Sequence, residues 1–391
     1  MNARVPHPVG TVARLRVLIG NVLNNGIMPS QTANAAEAQD VARGYLLMCV
    51  FYIHAMIGVA QHMGDNAWYS LIQLKLLAPD VSAFFFLSGM AAPALAKKGF
   101  MPVLRQSIVL LLFAIVSHVI GFLIILVGGG FPTPWDAVKG LARPLLIGTE
   151  YSSFVAWFFV VLAAARLFAY AFLRSKPVFL GVAALAAAII WGAGKAGVPD
   201  NIYEWRNWPT ATLFFLIGMK LPHGKKIPNW AAIAALIASV LLALINRLGL
   251  FRIGPCITCD LRFVPQPMVG QYGSIFVYVP QQMLFIVFLI WVGQRSAGIM
   301  IGRVARFFGK ASLPILLLHG WVLLTLYPGM LAGMPAWETP FLFVAIFSSA
   351  IVVHALLYVW LAVPLNWIQI FIFRISHIGQ QKAPRRTVAR R

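Results

Sequence analysis

The sequence predicts an all-α polytopic membrane protein of about ten transmembrane helices, and three observations predict it. Apolar residues make up 60% of the 391-residue chain and charged residues only 10%, whereas soluble domains carry roughly 45–50% and about 25%. So few charges cannot cover a water-facing surface, so lipid is the solvent around most of this chain. Apolar runs near the roughly 20 residues that span a bilayer recur from residue 44 onward. The lysines and arginines between those runs concentrate in alternate connections, as expected when cationic loops stay on one side.

Taken in order, the apolar runs are 44–62, 77–96, 104–127, 154–173, 177–194, 208–221, 229–246, 274–293, 309–328 and 340–363. The sixth is short for a span and reads as a re-entrant or broken element. Placing both termini in the cytoplasm leaves 22 Lys and Arg in inner loops and tails and eight in outer loops, with Arg166 inside the fourth run. Glu37 and Asp40 fall inside, and the other acids fall on or near the outer face. The chain then divides into a cytoplasmic segment 1–42, a membrane domain 43–372 and a basic tail 373–391. Within the first segment, residues 12–24 have the amphipathic spacing of a surface-lying helix. No compact apolar core followed by a small-residue cleavage site marks a signal peptide in the first 40 residues. The net charge of +21 then points to anionic lipid headgroups rather than nucleic acid.

Strongly polar side chains at mid-membrane are costly and therefore candidates for function. His54 lies eleven residues beyond Arg43, so it sits roughly 16 Å deeper on the same helix. It is either a reactive imidazole or a structural one bonded to a backbone carbonyl. His118, His319 and His354 also fall near the middle of their runs, and some of them serve packing. Ser88-Gly89 halves the second run, where a small pair usually signals close helix packing. No histidine pair has HExxH spacing and the spans lack carboxylate ligands, so no metal is expected. Cys256 and Cys259 form a CxxC in an outer loop, which suits a loop-stiffening disulfide in an oxidising compartment.

Four segments resemble the acyltransferase-3 family of multipass membrane O-acyltransferases. Arg43 through His54 is similar to its Arg-x10-His signature, and Phe84-Phe85-Phe86-Leu87-Ser88-Gly89 to its Phe-Phe-x-x-Ser-Gly segment. Ala156-Trp157-Phe158-Phe159 resembles its Trp-Phe stretch. Gly309-Lys310-Ala311-Ser312-Leu313-Pro314 through His319 resembles its Gly-Lys-x-Ser-Leu-Pro-Ile-x-x-x-His segment. The family often has closely spaced arginines after the second helix, whereas this chain has Lys97, Lys98 and then Arg105.

The resemblance implies transfer of an acyl group, acetyl by default, from cytoplasmic acyl-CoA to a hydroxyl of an extracytoplasmic glycan or glycoconjugate. The setting would be a bacterial inner membrane, with acyl-CoA as co-substrate and no permanently bound cofactor. A sugar hydroxyl is a weak nucleophile and needs a base as it attacks, a role that falls to His54. Arg43 and Arg105 would bind the phosphates of the donor. The pantetheine arm would run beside Ser88 and Gly89, where a missing side chain admits a ligand close to the backbone. Trp157 and His319 would hold the acceptor, unless His319 is structural. The rival reading is a transporter or flippase of a lipid-linked sugar, which would favour inverted repeats; no internal repeat is visible.

Overall fold

The structure, a computed structural model, describes residues 35–64, 67–77, 80–197, 201–221, 224–247, 249, 265–267, 270–335 and 337–376. Fourteen α-helices account for most of them: α1 (Ala35–Met63), α2 (Trp68–Leu77), α3 (Asp80–Met90), α4 (Phe100–Val127), α5 (Pro134–Ile147), α6 (Ala156–Arg174), α7 (Lys176–Lys195), α8 (Trp208–Lys220), α9 (Asn229–Ile245), α10 (Ile275–Ser296), α11 (Met300–Lys310), α12 (Ser312–Leu331), α13 (Pro340–Trp360) and α14 (Ala362–Ser376). The all-α class holds: among the described residues the only β pairing is a single bridge between Gln266 and Gln271. Eight stretches are long and apolar enough to cross a membrane, one of them formed by α2 and α3 in succession from Trp68 to Met90. Helices α8 and α9 are shorter, at 13 and 17 residues. Residues 12–24, Cys256, Cys259 and the basic tail from residue 377 lie outside the described residues.

Helices α2 and α14 fill stretches largely outside the expected apolar runs, and α1, α5 and α11 differ from the sequence expectation for visible reasons. Helix α1 begins at Ala35 rather than near residue 44, because its first turns are held by tertiary bonds. Glu37 pairs with Arg306, and Gln39 Nε2 donates to the Leu87 carbonyl at 3.0 Å. Helix α5 occupies a stretch expected to be loop. Thr133 caps it by accepting from the Asp136 N–H at 3.1 Å, Pro134 supplies the first helical turn, and Gly148 ends it in the left-handed conformation, φ 68°. Helix α11 fills an expected connection. It is amphipathic, burying Gly302, Ala305, Arg306, Phe308 and Gly309.

Helix α1 is the hub, touching α2, α3, α10, α11, α12 and α13. Around it α4 packs on α6, α12 and α14, while α8 packs on α3 and α6. Glycine permits close backbone approach where α1 crosses α11 and where α3 crosses α8. A Cβ on Gly44 would lie 1.6 Å from the Ala305 carbonyl oxygen, and one on Gly309 would lie 1.8 Å from that of Asp40. At the α3–α8 crossing, a Cβ on Gly89 would meet the Phe215 oxygen at 2.0 Å, and one on Gly218 the Phe86 oxygen at 2.1 Å. Where lipid surrounds the helices, such backbone contact is a principal source of association. Helix α7 buries no residue fully and packs on α6 by one partly covered face, where Phe179 meets Phe168 and Phe172.

Candidate functional site

Helices α1, α12 and α13 each bring one histidine to a common point. His54 Nδ1 stands 2.6 Å from His319 Nε2, and His319 Nδ1 stands 2.8 Å from His354 Nε2. His354 Nδ1 lies 2.6 Å from the carbonyl oxygen of Ala350, one turn earlier on α13. The rings form a file with its ends in different surroundings. His354 and His319 are fully buried, whereas His54 is only half-buried. Phe51 supports the file, stacking parallel on His354 with centroids 3.8 Å apart and touching His319 at 5.0 Å. Phe154 meets His54 edge-on at 4.7 Å. Among the described residues no group of His, Cys, Asp and Glu side chains is arranged to hold a metal ion.

A cavity of about 230 Å³ opens on the Arg43 end of α1. Arg43, Ser88 and Arg166 supply polar groups to its wall, and Phe84, Phe158, Leu162 and Leu316 are among its apolar lining. Arg43 is oriented by two acceptors, the Asp40 carboxylate and the Leu87 carbonyl, each at 3.3 Å. Arg166 Nε is buried with no hydrogen-bond partner. No Asp or Glu belongs to this lining; Asp40 pairs with Arg43 from outside it, so the uncompensated positive charge is that of Arg166, which suits an anion.

A second cavity measures about 300 Å³. Its lining includes Thr149, Tyr151, Phe154, Trp157, Asn201 and Glu204. Trp157 and Phe158 are neighbours on α6, yet Trp157 lines this cavity and Phe158 the other. Phe154 touches both His54 and this space. None of the three histidines lines either cavity; Phe154, packed on His54, borders the second, and Leu316, one turn before His319 on α12, borders the first.

The second cavity is built on unusual backbone. Glu150, Tyr203 and Glu204 adopt left-handed φ values of 59°, 49° and 59°, which side-chain-bearing residues rarely hold without compensation. Compensation is visible at Glu204, which accepts from Thr149 at 2.9 Å and from Asn201 at 2.6 Å. Burial pushes its carboxyl up to about 7, against the lowering effect of those two hydrogen bonds. Tyr203 is held by its hydroxyl, which donates to the Leu146 carbonyl at 2.9 Å.

The expected site residues distribute unevenly over this geometry. Arg43 and Ser88 line the first cavity and Trp157 the second, whereas His54 lines neither and meets the second through Phe154. Gly89 does not fit the expected ligand role, since the space its missing side chain leaves is filled by the Phe215 backbone. Arg105 lies on α4 five residues before Leu110, outside the cavity lining. His319 does not fit the expected acceptor-binding role, because His54 and His354 occupy both its ring nitrogens. His118 is structural: its Nε2 faces the Leu141 carbonyl at 3.0 Å and its Nδ1 accepts from the Ser152 N–H at 3.0 Å. Arg166 and His354 had no assigned role, although a charge and an imidazole inside apolar runs were the available signals.

The helical bundle and its spanning stretches define a multipass membrane protein, and the histidine file inside the bundle is its candidate site. A family model described as an acyltransferase domain matches residues 37–359, so the chain belongs to the acyltransferase-3 family. Neither the curated proteins nor the solved structures offer a match to it.

Proposed function

We propose that the protein is a membrane O-acyltransferase that moves an acyl group, acetyl by default, from cytoplasmic acyl-CoA to a hydroxyl of an extracytoplasmic glycan or glycoconjugate. The observation that carries this reading is the His54–His319 pair, with Phe154 joining His54 to a cavity bearing Trp157, Asn201 and Glu204 and Arg43 of the same helix lining a second, arginine-bearing cavity. Both termini are placed in the cytoplasm and the membrane is a bacterial inner membrane. The Arg43 end of the bundle then faces the donor, in agreement with the distribution of Lys and Arg along the chain.

In this mechanism Arg43 and Arg166 bind donor phosphate, and the acyl end of the donor extends past Ser88 along α1 toward His54. The acceptor enters from the opposite side. Trp157 offers an apolar ring face, and Asn201 and Glu204 offer groups that bond hydroxyls. His54 Nε2 takes the proton of the acceptor hydroxyl as its oxygen attacks the thioester carbonyl. The carbon–oxygen bond forms, the carbon–sulfur bond breaks, and the coenzyme thiolate leaves and recovers the proton. Ester and free thiol are the products. Donor and acceptor each stay on their own side of the membrane.

Purified protein in liposomes, given acetyl-labelled acetyl-CoA and envelope glycan on opposite faces, tests the reading. Labelled ester on the glycan with stoichiometric thiol release is expected. Sugar movement without acylation would instead make the protein a transporter. The O-acyl content of envelope glycans from cells with and without the protein names acceptor and acyl group together.

A further inference from the structure

The file of three histidines ends on a group that can only accept a hydrogen bond, and this fixes every proton along it. The Ala350 carbonyl accepts, so His354 Nδ1 at 2.6 Å carries a hydrogen. In a neutral ring Nε2 of His354 is then a lone pair, and it accepts from His319 Nδ1 at 2.8 Å. His319 Nε2 in turn is a lone pair and accepts from His54 Nδ1 at 2.6 Å. For neutral rings only one pattern satisfies all three contacts, and it leaves His54 Nε2 unprotonated.

We infer that His354 is a positioning residue that sets the tautomer of His54 through His319, keeping Nε2 of His54 free to receive a proton. This deepens the acyl-transfer reading and rests on it for its effect on rate. Two further features agree with a relay. The open end is His54, the least buried of the three rings and the one against Phe154 of the second cavity, and the closed end is a backbone carbonyl beside the buried His354. Parallel stacking of His354 on Phe51 with an interplanar angle of 4° holds the distant ring in plane. When the acceptor proton reaches His54 Nε2, His319 Nε2 stays as acceptor to the His54 Nδ1–H and spreads the developing charge. His354 does the same for His319. No proton needs to leave the file during the attack.

Two substitutions separate tautomer control from packing. His354→Phe keeps an aromatic ring against Phe51 and removes both nitrogens. His354→Gln restores an oxygen able to accept from His319 Nδ1. The Phe variant is expected to lower kcat roughly ten- to a hundredfold, part of the 10²–10⁴ that a positioned base contributes, with the KM for acetyl-CoA unchanged. The Gln variant should recover most of that loss. Nitrogen-15 spectra of histidine-labelled protein read the tautomer directly and need no turnover. His54 should carry its hydrogen on Nδ1 in the native protein and become a mixture of tautomers in the Phe variant. A native spectrum with the hydrogen on Nε2 of His54 overturns the inference, even if the Phe variant fails to fold. An unchanged tautomer and kcat in a folded Phe variant does so as well. Absence of acyl transfer alongside the expected spectra would refute the catalytic reading and leave the tautomer relay standing.

Discussion

Arg166 gives the most quantitative prediction about donor binding. Its Nε is buried without a hydrogen-bond partner in a cavity whose lining contains Arg43 but no acid. A buried cation without a counter-ion is costly, so a ligand anion in this cavity would gain both a charge and bonds that are otherwise unmade. A hydrogen bond to a charged group contributes about 1.5–3 kcal/mol. Removing one such guanidinium contact should therefore weaken donor binding by roughly 10- to 150-fold, at about 1.4 kcal/mol per tenfold. Arg166→Gln keeps a polar side chain of moderate length and removes the charge. Calorimetric titration of the detergent-solubilised variant with acetyl-CoA measures the loss, and S-acetylpantetheine, which lacks the phosphates, is the control. The expected result is a weakened acetyl-CoA affinity with an unchanged, weak affinity for the control. Equal losses for both ligands, or no loss for acetyl-CoA, would refute the assignment of Arg166 to phosphate.

Three further outcomes follow from local geometry. Gly309→Val places side-chain atoms where a Cβ alone would be 1.8 Å from the Asp40 oxygen; it should cost at least about 1–3 kcal/mol through overpacking and lower the thermal midpoint, whereas Gly333→Ala, with nothing within 4 Å, should leave it unchanged. Glu204 binds its proton more tightly folded, at about 7, than its ordinary value of 4.5. The folded state therefore holds more protons than the unfolded state between those values, and this group's contribution to stability declines as pH rises through that window. Glu204→Gln should flatten the change in thermal midpoint between about pH 5 and pH 8. Replacing Ser88 by Val, which fills cavity volume beside Arg43, should raise the KM for acetyl-CoA more than it lowers kcat.

The fold class was legible because it depends on composition and run length, which lipid imposes directly on sequence. The register of Arg43 and His54 was legible because both lie on one helix, where residue count converts to depth. The partner of His54 was not, since His319 is 265 residues away and only the crossing of α1 with α12 brings the rings together. Gly89 shows a different limit. A missing side chain admits a ligand or a neighbouring helix equally well, and the Phe215 backbone that fills the space is distant in sequence. Helix α5 was readable in principle from Thr133-Pro134 followed by Asp136, a capped start with proline in the first turn. The hydropathy of the long connection concealed it. Arg166 and His354 were visible as polar residues in apolar helices, but only the fold shows that one reaches a cavity and the other a histidine.

The central claim is that the His54 imidazole removes the acceptor proton. Single-turnover acyl transfer by His54→Ala, measured beside acetyl-CoA binding to the same preparation, tests it most directly. The expected result is a fall of about 10²–10⁴ in the rate of the chemical step with donor affinity within a few-fold of native. Transfer within tenfold of native by a folded, donor-binding variant would contradict it.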